Sequence, residues 1–373
     1  VVSIAWDGRY AAPQHRDVLG ACLGLGLQRE TLGDIRLEGD CAYVAATPAI
    51  ADYLIENLHE VGRAKVSLSR YDGELPAAES GRREVVNVPS LRLDAVLAAL
   101  LLAGNAWANA RVWNARVEIR DEKIPAAFDG FVLCQVSDVH NEARGEGNAA
   151  LLRALREAAP DLICITGDFL DSRRTDLDFA LELAGQLAEI APAVYVTGNH
   201  EARLKDLSAL EAGLAARGVR VLRDGWTPLA CGGEEIALIG LDDPGFAAGE
   251  GWTLAEGLDQ TQARLSALLA QAGDRFSLVL SHRPELLPAY ADAGADLVLS
   301  GHAHGGQVRL PGIGGLFAPG QGILPRLTSG VYARGETRLV VSRGLGNSSF
   351  PLRVFNPPEI VTVTLRAGAE GEG

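Results

Sequence analysis

The sequence predicts an α/β fold with buried sheet strands, preceded by a small α+β segment. From about residue 105 onward, short apolar runs typical of buried strands alternate with segments of helical periodicity. Five of these runs end in Asp, Asn or His residues, and functional groups gather at the carboxyl ends of strands in open α/β sheets. An apolar content of 47% and a charged content of 22% are typical of a globular protein.

Residues 1 to about 72 predict alternating helices and short strands. "HRDVLGACLGLGLQRETLGDIRLEGDCAYVAAT" indicates a helix, a glycine-rich turn and two strands joined at Glu38-Gly39-Asp40. A second helix is expected with Thr47 as N-cap, Pro48 at its first position and Gly62 as its stop. "RAKVSLSRY" alternates like a strand. The polar stretch at residues 72–84 then predicts a linker.

The remaining elements are predicted from residue 105 to the C-terminal part. "ARVWNARVEIRDE" predicts a first strand, and "GFVLCQVSDVH", "DLICITGDFLD" and "PAVYVTGNHE" predict buried strands. "GNAALLRALREAAP" and "TDLDFALELAGQLAEIA" have helical spacing. "RFSLVLSHRPE" and "ADLVLSGHAHGG" predict two further buried strands.

The ends of the five buried strands carry the candidate functional residues. They are Asp138-Val139-His140, Gly167-Asp168, Gly198-Asn199-His200-Glu201, Ser281-His282 and Gly301-His302-Ala303-His304. All five histidines beyond residue 105 fall at these ends. Carboxylate, imidazole and amide ligands without thiolate suit manganese, iron or zinc. Two such ions, bridged by an aspartate, clamp a phosphoryl group and generate a hydroxide nucleophile.

The motifs "DVH", "GDFLD", "GNHE", "SHRPE" and "GHAHGG", in this order, resemble those of the calcineurin-like metallophosphoesterases over about residues 115–365. The extended forms "GHAHGGQVRLP" and "GLGNSSFPLRVFNPPEI" resemble a subgroup of membrane-associated bacterial phosphoesterases. That subgroup includes enzymes acting on lipid-linked sugar nucleotides. The resemblance implies a four-layer α/β/β/α sandwich that hydrolyses a phosphate ester or pyrophosphate, with a lipid-linked or nucleotide substrate.

The resemblance also implies a role for each motif residue. Asp138, His140 and His304 would hold a first divalent ion, Asn199, His282 and His302 a second, and Asp168 would bridge them. The ions are expected to be manganese, iron or zinc. His200 would lie outside the metal shell, where it would donate to the phosphate or protonate the leaving oxygen.

Other residues keep two interpretations. Asp171 and Glu201 are expected to orient the ligands. For Asp171, capping of the next helix is the alternative. Asn141 is expected to contact phosphate or to serve a turn, and Arg353 to bind phosphate bidentately or to form a surface ion pair. Residues 316–330, which are rich in Gly and Pro, predict a substrate-facing loop or a turn with exposed leucines.

The first part of the chain resembles the middle portion of bacterial S4-domain RNA-binding proteins. The matching residues are "HRDVLGACLGLGLQRETLGDI", "IADYLIENLHEVGRAKVSL" and "VPSLRLDAVLAAL". The last phrase opens the S4 domain in that family, but here it stops after one helix. Residues 1–104 hold ten Lys/Arg against fourteen Asp/Glu, a net of −4. The absence of a basic stripe disfavours RNA as a partner.

These observations predict four parts. They are a small α+β domain at 1–84, a truncated S4-like helix and junction at 85–110, a metallophosphoesterase domain at 111–367 and a disordered tail at 368–373. The five scattered cysteines form no CxxC pair, so neither a disulfide framework nor a zinc–thiolate site is expected. The apolar run at 95–104 is about half a membrane span, for which a buried helix is expected and an interfacial anchor is the alternative.

The expected partner is a phosphorylated small molecule or lipid-linked substrate. No secretory signal is visible, and the expected location is the cytoplasm, with peripheral association at a membrane surface as an alternative. An RNA-associated protein whose phosphoesterase acts on nucleic acid is the second function considered. A scaffold that keeps the fold without activity is the third, and it is disfavoured because every ligand position is filled.

Overall fold

The computed structural model describes residues 1–73, 75–76, 103–249, 251–347 and 353–369. They belong to two compact units, Val1–Ala95 and Val96–Gly373. Among these residues, no helix is both long and apolar enough to span a membrane. Most of the S4-like helix and junction expected at 85–110, and the end of the expected tail at 368–373, lie outside the described residues.

The first unit contains a five-stranded antiparallel sheet and two helices. The strands are β1 (Val2–Trp6), β2 (Leu32–Glu38), β3 (Cys41–Ala46), β4 (Glu60–Val61) and β5 (Ala64–Arg70), in the order β2-β3-β1-β5-β4. The helices His15–Gly24 and Pro48–Asn57 supply Val18, Cys22 and Leu54 to a core shared with Ile4 and Val44 of the sheet. The predicted α+β character of this segment is therefore confirmed.

The second helix begins where the sequence predicts but ends earlier. Thr47 occupies the N-cap and Pro48 the first position. The helix ends at Asn57, because Leu58 is extended and the chain turns back as β4 to pair with β5. The prediction that Gly62 stops the helix is wrong. Gly62, with φ +63°, makes the tight turn between β4 and β5, a conformation that favours glycine.

The described part of the second unit contains two six-stranded sheets. The strands are β6 (Trp113–Asp121), β7 (Val132–Val136), β8 (Leu162–Thr166), β9 (Ala193–Val196), β10 (Val219–Val221), β11 (Gly225–Cys231), β12 (Glu234–Gly240), β13 (Ser277–Leu280), β14 (Leu297–Ser300), β15 (Arg309–Leu310), β16 (Gly314–Gly315), β17 (Phe317–Ala318), β18 (Gly322–Ile323), β19 (Gly330–Arg334), β20 (Thr337–Val341) and β21 (Glu359–Ala367). One sheet has the order β10-β9-β8-β7-β21-β6 and the other β11-β12-β13-β14-β20-β19. Two short hairpins, β15 with β16 and β17 with β18, are separate.

Three apolar cores show that this unit has four layers. Helices Ala149–Ala158, Leu177–Ala188 and Ser208–Ala216 pack on the outer face of the first sheet. Helices Leu254–Ala272 and Leu287–Ala293 pack on the outer face of the second. Between the sheets, side chains such as Leu133, Cys164 and Val196 of the first meet Leu238, Leu278 and Leu299 of the second. The α/β/β/α sandwich is therefore confirmed.

Parallel pairing places the functional strand ends on one edge. In the first sheet β7, β8 and β9 run parallel, and in the second β13 and β14 do so. Because these strands are buried along their length, apart from the half-buried Val132 at the start of β7, each is anchored up to the residue where the loop begins. Side chains that directly follow such strands have little freedom, and the five predicted motifs occupy these positions.

Candidate metal centre

Seven side chains from the five strand ends converge in the second unit. Each is more than nine-tenths buried: Asp138, His140, Asp168, Asn199, His282, His302 and His304. Burying two carboxylates and four imidazoles together is costly unless a cation or a complete hydrogen-bond network compensates them. The oxygen and nitrogen atoms that these side chains point toward one another distinguish a cation site from a hydrogen-bond network.

One group comprises Asp138, His140, Asp168 and His304, whose ligand atoms all lie within 4.8 Å of one another. Nε2 of His140 lies 3.1 Å from Nε2 of His304, and the latter atom lies 3.2 Å from Oδ1 of Asp138. Nε2 of His140 lies 3.6 Å from Oδ2 of Asp168. These are the separations expected of ligand atoms arranged around one shared ion.

A second group contains Asp168 again, with His282 and His302. Nε2 of His282 lies 3.2 Å from Oδ2 of Asp168 and 3.2 Å from Nδ1 of His302. The side-chain amide of Asn199 lies 2.7 Å from Nδ1 of His302. Carboxylate, imidazole and amide groups gathered at these distances suit a divalent cation, so the donor set fits a metal ion.

The backbone at the centre is strained. Asp138, His140, Asp168, His302 and His304 all have positive φ, between 46° and 65°. Each such conformation costs a non-glycine residue on the order of 1–3 kcal/mol, and strain of this kind collects at functional sites. The strand ends therefore bend sharply at the same residues whose side chains converge.

Two glycines leave room for the carboxylates. A Cβ at Gly198 would collide with the carboxylate of Asp168, and one at Gly301 would collide with that of Asp138. Ser137 Oγ donates to Oδ2 of Asp138 at 2.7 Å, and the backbone N–H of His302 donates to the same carboxylate at 3.1 Å. Each aspartate is thus held against the backbone of a neighbouring strand end.

Burial keeps most of the imidazoles in the neutral form that binds metals. It lowers the pKa of His140 to about 4 and places the pKa values of His302 and His304 well below the ordinary range. His282 differs: burial lowers its pKa, but Asp168 and Asp138 outweigh that effect and raise it to about 10. Its Nδ1 lies 2.8 Å from the carbonyl oxygen of Thr166, which fixes the ring and leaves Nε2 toward Asp168.

The Asp138 carboxyl also depends on its surroundings. Burial, together with the negative charge of Asp168, raises the pKa of Asp138 to about 6, although His282 opposes this. Two buried carboxylates this close repel each other in their ionised forms. A divalent cation between them removes that repulsion, which agrees with the facing acceptor atoms.

His200 lies beside the two groups, and its ligand atom lies within 4.8 Å of those of His140 and Asp171. Its Nδ1 accepts a hydrogen bond from the backbone N–H of Ser172 at 3.1 Å, and Asp171 Oδ1 lies 3.5 Å away. Because a backbone N–H can only donate, the neutral ring carries its proton on Nε2. Burial lowers the pKa of His200. The following helix is capped by Asp176, so the interpretation of Asp171 as that cap is wrong.

Glu201 holds the loops together. Its Oε2 accepts from the backbone N–H groups of Asp168 at 2.9 Å and Gly198 at 2.7 Å, and its Oε1 accepts from Leu170 at 3.0 Å. Burial and the nearby charge of Asp168 raise the pKa of Glu201 to about 7, while the backbone donors oppose this. Glu201 therefore orients the Asp168 loop, which is the role considered for it from the sequence.

The two residues predicted to contact phosphate have structural partners. Asn141 accepts from the backbone N–H of Asp171 at 3.0 Å and donates to the carbonyl of Arg174 at 3.1 Å, which is a turn role. Arg353 is buried rather than on the surface, and it donates to the carbonyl oxygens of Arg343 at 2.9 Å and Gly346 at 3.2 Å. The surface ion pair considered for Arg353 is therefore wrong, and phosphate contact by either residue stays a prediction.

A cavity of about 240 Å³, here the metal-centre cavity, opens beside the two groups. It is lined by Asp168, Asn199, His200, Arg203, Arg283, His302, His304, Pro319 and Gly320. Arg283 was not predicted as a site residue, although it follows His282 directly in "SHRPE". Its Nη1 lies 3.1 Å from Nε2 of His302 and donates to Oε1 of Glu285 at 3.2 Å, and its Nε donates to Asp243. Asp243 lies in a loop whose sequence carried no signal.

Two protein families and several known proteins are similar to parts of this chain. Residues 131–306 match the family described as "Calcineurin-like phosphoesterase", and residues 1–74 match the one described as "Putative RNA-binding domain in YlmH". The chain is 32% identical over 285 residues to the uncharacterized metallophosphoesterase YkuE of Bacillus subtilis, covering 73% of this chain and 94% of that one. It is 30% identical to the phosphodiesterase YaeI of Escherichia coli, covering 56% and 72%. A solved dimetal phosphatase from Danio rerio is similar at 15% identity and a TM-score of 0.37, covering 58% and 88%.

Proposed function

Since the chain belongs to the calcineurin-like metallophosphoesterase family, we propose that it hydrolyses a phosphate ester or pyrophosphate of a lipid-linked or nucleotide substrate. The observation that carries the proposal is the pair of acceptor-lined groups that share Asp168. Divalent cations suit this donor set of carboxylate, imidazole and amide oxygen. We expect manganese, iron or zinc.

The proposed ligands divide as the two groups do. Asp138, His140 and His304 would hold one ion, Asn199, His282 and His302 would hold the other, and Asp168 would be shared by both. When bound, two such ions supply a hydroxide nucleophile and neutralise charge on the phosphoryl oxygens. The chain's own side chains orient the substrate, and His200 presents the proton on its Nε2 to the substrate.

His200 is the proposed catalytic residue that donates a hydrogen bond to the substrate from its neutral ring. Its Nε2 carries the proton, because Nδ1 is occupied by the Ser172 N–H, and the ring lines the metal-centre cavity. Its backbone N–H donates to Oδ1 of Asp168 at 2.8 Å, which ties the position of the ring to the shared ligand. From there the Nε2–H of His200 donates a hydrogen bond to a phosphoryl oxygen or to the departing oxygen of the leaving group.

Hydrolysis of p-nitrophenyl phosphate and of bis(p-nitrophenyl) phosphate by the full chain tests this proposal. We expect hydrolysis that is lost on chelation and restored by manganese. Asp168→Asn and His304→Ala should each reduce the rate at least 100-fold. The exposed Asp178→Asn on a neighbouring helix is the matched control and should retain the wild-type rate. Near wild-type hydrolysis by Asp168→Asn would overturn the proposal.

RNA association by the first unit is the second candidate function. The family match of residues 1–74 favours it, whereas the net charge of −4 over residues 1–104 opposes it. We would measure binding of a structured RNA by the full chain at 50 mM and 200 mM salt, with Arg29→Glu and Arg36→Glu as variants. This measurement decides whether the first unit binds RNA. Binding that weakens with salt and with these substitutions supports this candidate, and absence of binding removes it.

The domain boundaries expected from the sequence, 1–84, 85–110, 111–367 and 368–373, are part of the same proposal. So are a cytoplasmic location and peripheral association with a membrane surface. Sedimentation of the full chain with vesicles tests the membrane association, and limited proteolysis followed by mass spectrometry tests the boundaries.

A further inference from the structure

A second, apolar depression adjoins the metal-centre cavity. It has a volume of about 520 Å³, within the range typical of small-molecule sites. Its apolar walls are formed by Leu254, Leu287, Pro288, Leu324 and Leu327, and these residues define the apolar groove. Leu254 is 47% exposed and Leu324 is 58% exposed, so two large aliphatic side chains of the groove face solvent.

The apolar groove and the metal-centre cavity meet at Gly320, which lines both. Gly320 has φ +73°, and a Cβ at this position would collide with the carboxylate of Glu285. Glu285 also lines the apolar groove, and its Oε1 lies 3.7 Å from Nε2 of His302. The buried carboxylate of Glu285 therefore takes the space beside Gly320, and these two residues mark the boundary between the second ligand group and the apolar groove.

The segment that forms one wall differs in charge from the rest of the chain. Residues 307–334 contain three arginines and no acidic residue, although the whole chain has a net charge of −14. Arg326 and Arg334 line the apolar groove together with the leucines. Such a wall suits a ligand that combines an aliphatic part with a negatively charged group.

We propose that the apolar groove binds an aliphatic chain that is covalently attached to the phosphate processed at the metal centre. The inference rests on the proposed function and narrows it to amphipathic phosphoesters, with the phosphate in the metal-centre cavity and the chain extending past Gly320. Burial of each methylene favours binding by roughly fourfold. Because the groove is open to solvent on one side, we expect about half of that burial and thus roughly twofold per methylene.

Inhibition of p-nitrophenyl phosphate hydrolysis by n-alkylphosphonates of one, four and eight carbons tests the proposal. These probes present a charged phosphonate and a chain of chosen length, and they are not hydrolysed. From one to eight carbons we expect the inhibition constant to fall roughly 100-fold in the wild type. Leu324→Ser should reduce that dependence to less than about tenfold while it leaves inhibition by methylphosphonate unchanged.

The matched control is Ile323→Ser. Ile323 is the adjacent residue and is 82% exposed, but it is not among the described residues that line the apolar groove. Equal chain-length dependence in the wild type and Leu324→Ser overturns the proposal. So does an equal loss in Ile323→Ser and Leu324→Ser, which indicates a general apolar surface such as one that meets a bilayer.

If the proposed phosphoesterase function is wrong, p-nitrophenyl phosphate is not hydrolysed with manganese, iron or zinc. The chain-length dependence is then measured as direct binding of octylphosphonate and methylphosphonate by calorimetry, with the same two variants. Binding of octylphosphonate that depends on Leu324 upholds the groove, and equal binding of the two phosphonates overturns it.

Discussion

Replacing Glu201 by alanine removes one carboxylate that holds three backbone N–H groups of the metal centre. Those groups belong to Asp168, Gly198 and Leu170, at 2.9, 2.7 and 3.0 Å. Glu201 is fully buried, so its removal leaves three buried donors without their acceptor. Each costs about 1–3 kcal/mol, and water entering the vacated space recovers part of that. We expect the free energy of unfolding to fall by about 3–5 kcal/mol.

Urea unfolding of the full chain in the presence of a chelator, followed by circular dichroism, measures this loss without a contribution from bound ions. Glu157→Ala, on the exposed face of helix Ala149–Ala158, removes the same atoms where they make no buried contact, and it should change stability by less than about 0.5 kcal/mol. Glu201→Gln keeps one acceptor oxygen and should lose about 1–3 kcal/mol. If Glu201→Ala is as stable as Glu157→Ala, the carboxylate does not hold the loops.

Three further predictions concern the metal centre itself. His302→Ala should lower manganese affinity at one site and His304→Ala at the other by at least tenfold each, measured by titration calorimetry; loss of both sites in both variants would contradict the division into two groups. His200→Gln should reduce kcat about 100-fold with unchanged metal content, whereas a variant that loses metal instead would make His200 a ligand. Gly198→Ala should weaken metal binding because the new Cβ displaces the Asp168 carboxylate. Wild-type metal affinity in this variant would refute the close approach of that carboxylate to the backbone of residue 198.

The strands and their functional ends were predictable from local sequence. Apolar runs such as those of β8 and β14 are short and continuous, and a single glycine separates them from Asp168 or His302. Parallel pairing then brings the ends of successive strands to one edge. Residue type and position along the chain therefore carried most of the information about which side chains meet.

Long-range pairing was not predictable in the same way. β21 lies between β6 and β7, parallel to the first and antiparallel to the second, although more than 200 residues separate it from both. No local periodicity encodes such a neighbour. The ion pair of Arg283 with Asp243 likewise joins two loops distant in sequence, and the buried position of Arg353 depends on carbonyl oxygens that only the folded chain presents.

Turn residues gave the clearest error. Gly62 follows a helical pattern and so predicted a helix stop, but the pairing of β4 with β5 places it in a hairpin turn. A glycine at positive φ suits either role. Tertiary pairing, and not the local sequence, decided between them.

The number of divalent ions bound per chain tests the central claim most directly. The purified full chain, supplied with manganese, iron and zinc and then freed of excess metal, is analysed by inductively coupled plasma mass spectrometry beside its Asp168→Asn and Asp178→Asn variants. We expect two ions per chain in the wild type and in Asp178→Asn, and fewer than one in Asp168→Asn. A wild-type chain that binds no divalent ion, or an Asp168→Asn chain that still binds two, would contradict a dinuclear centre shared through Asp168.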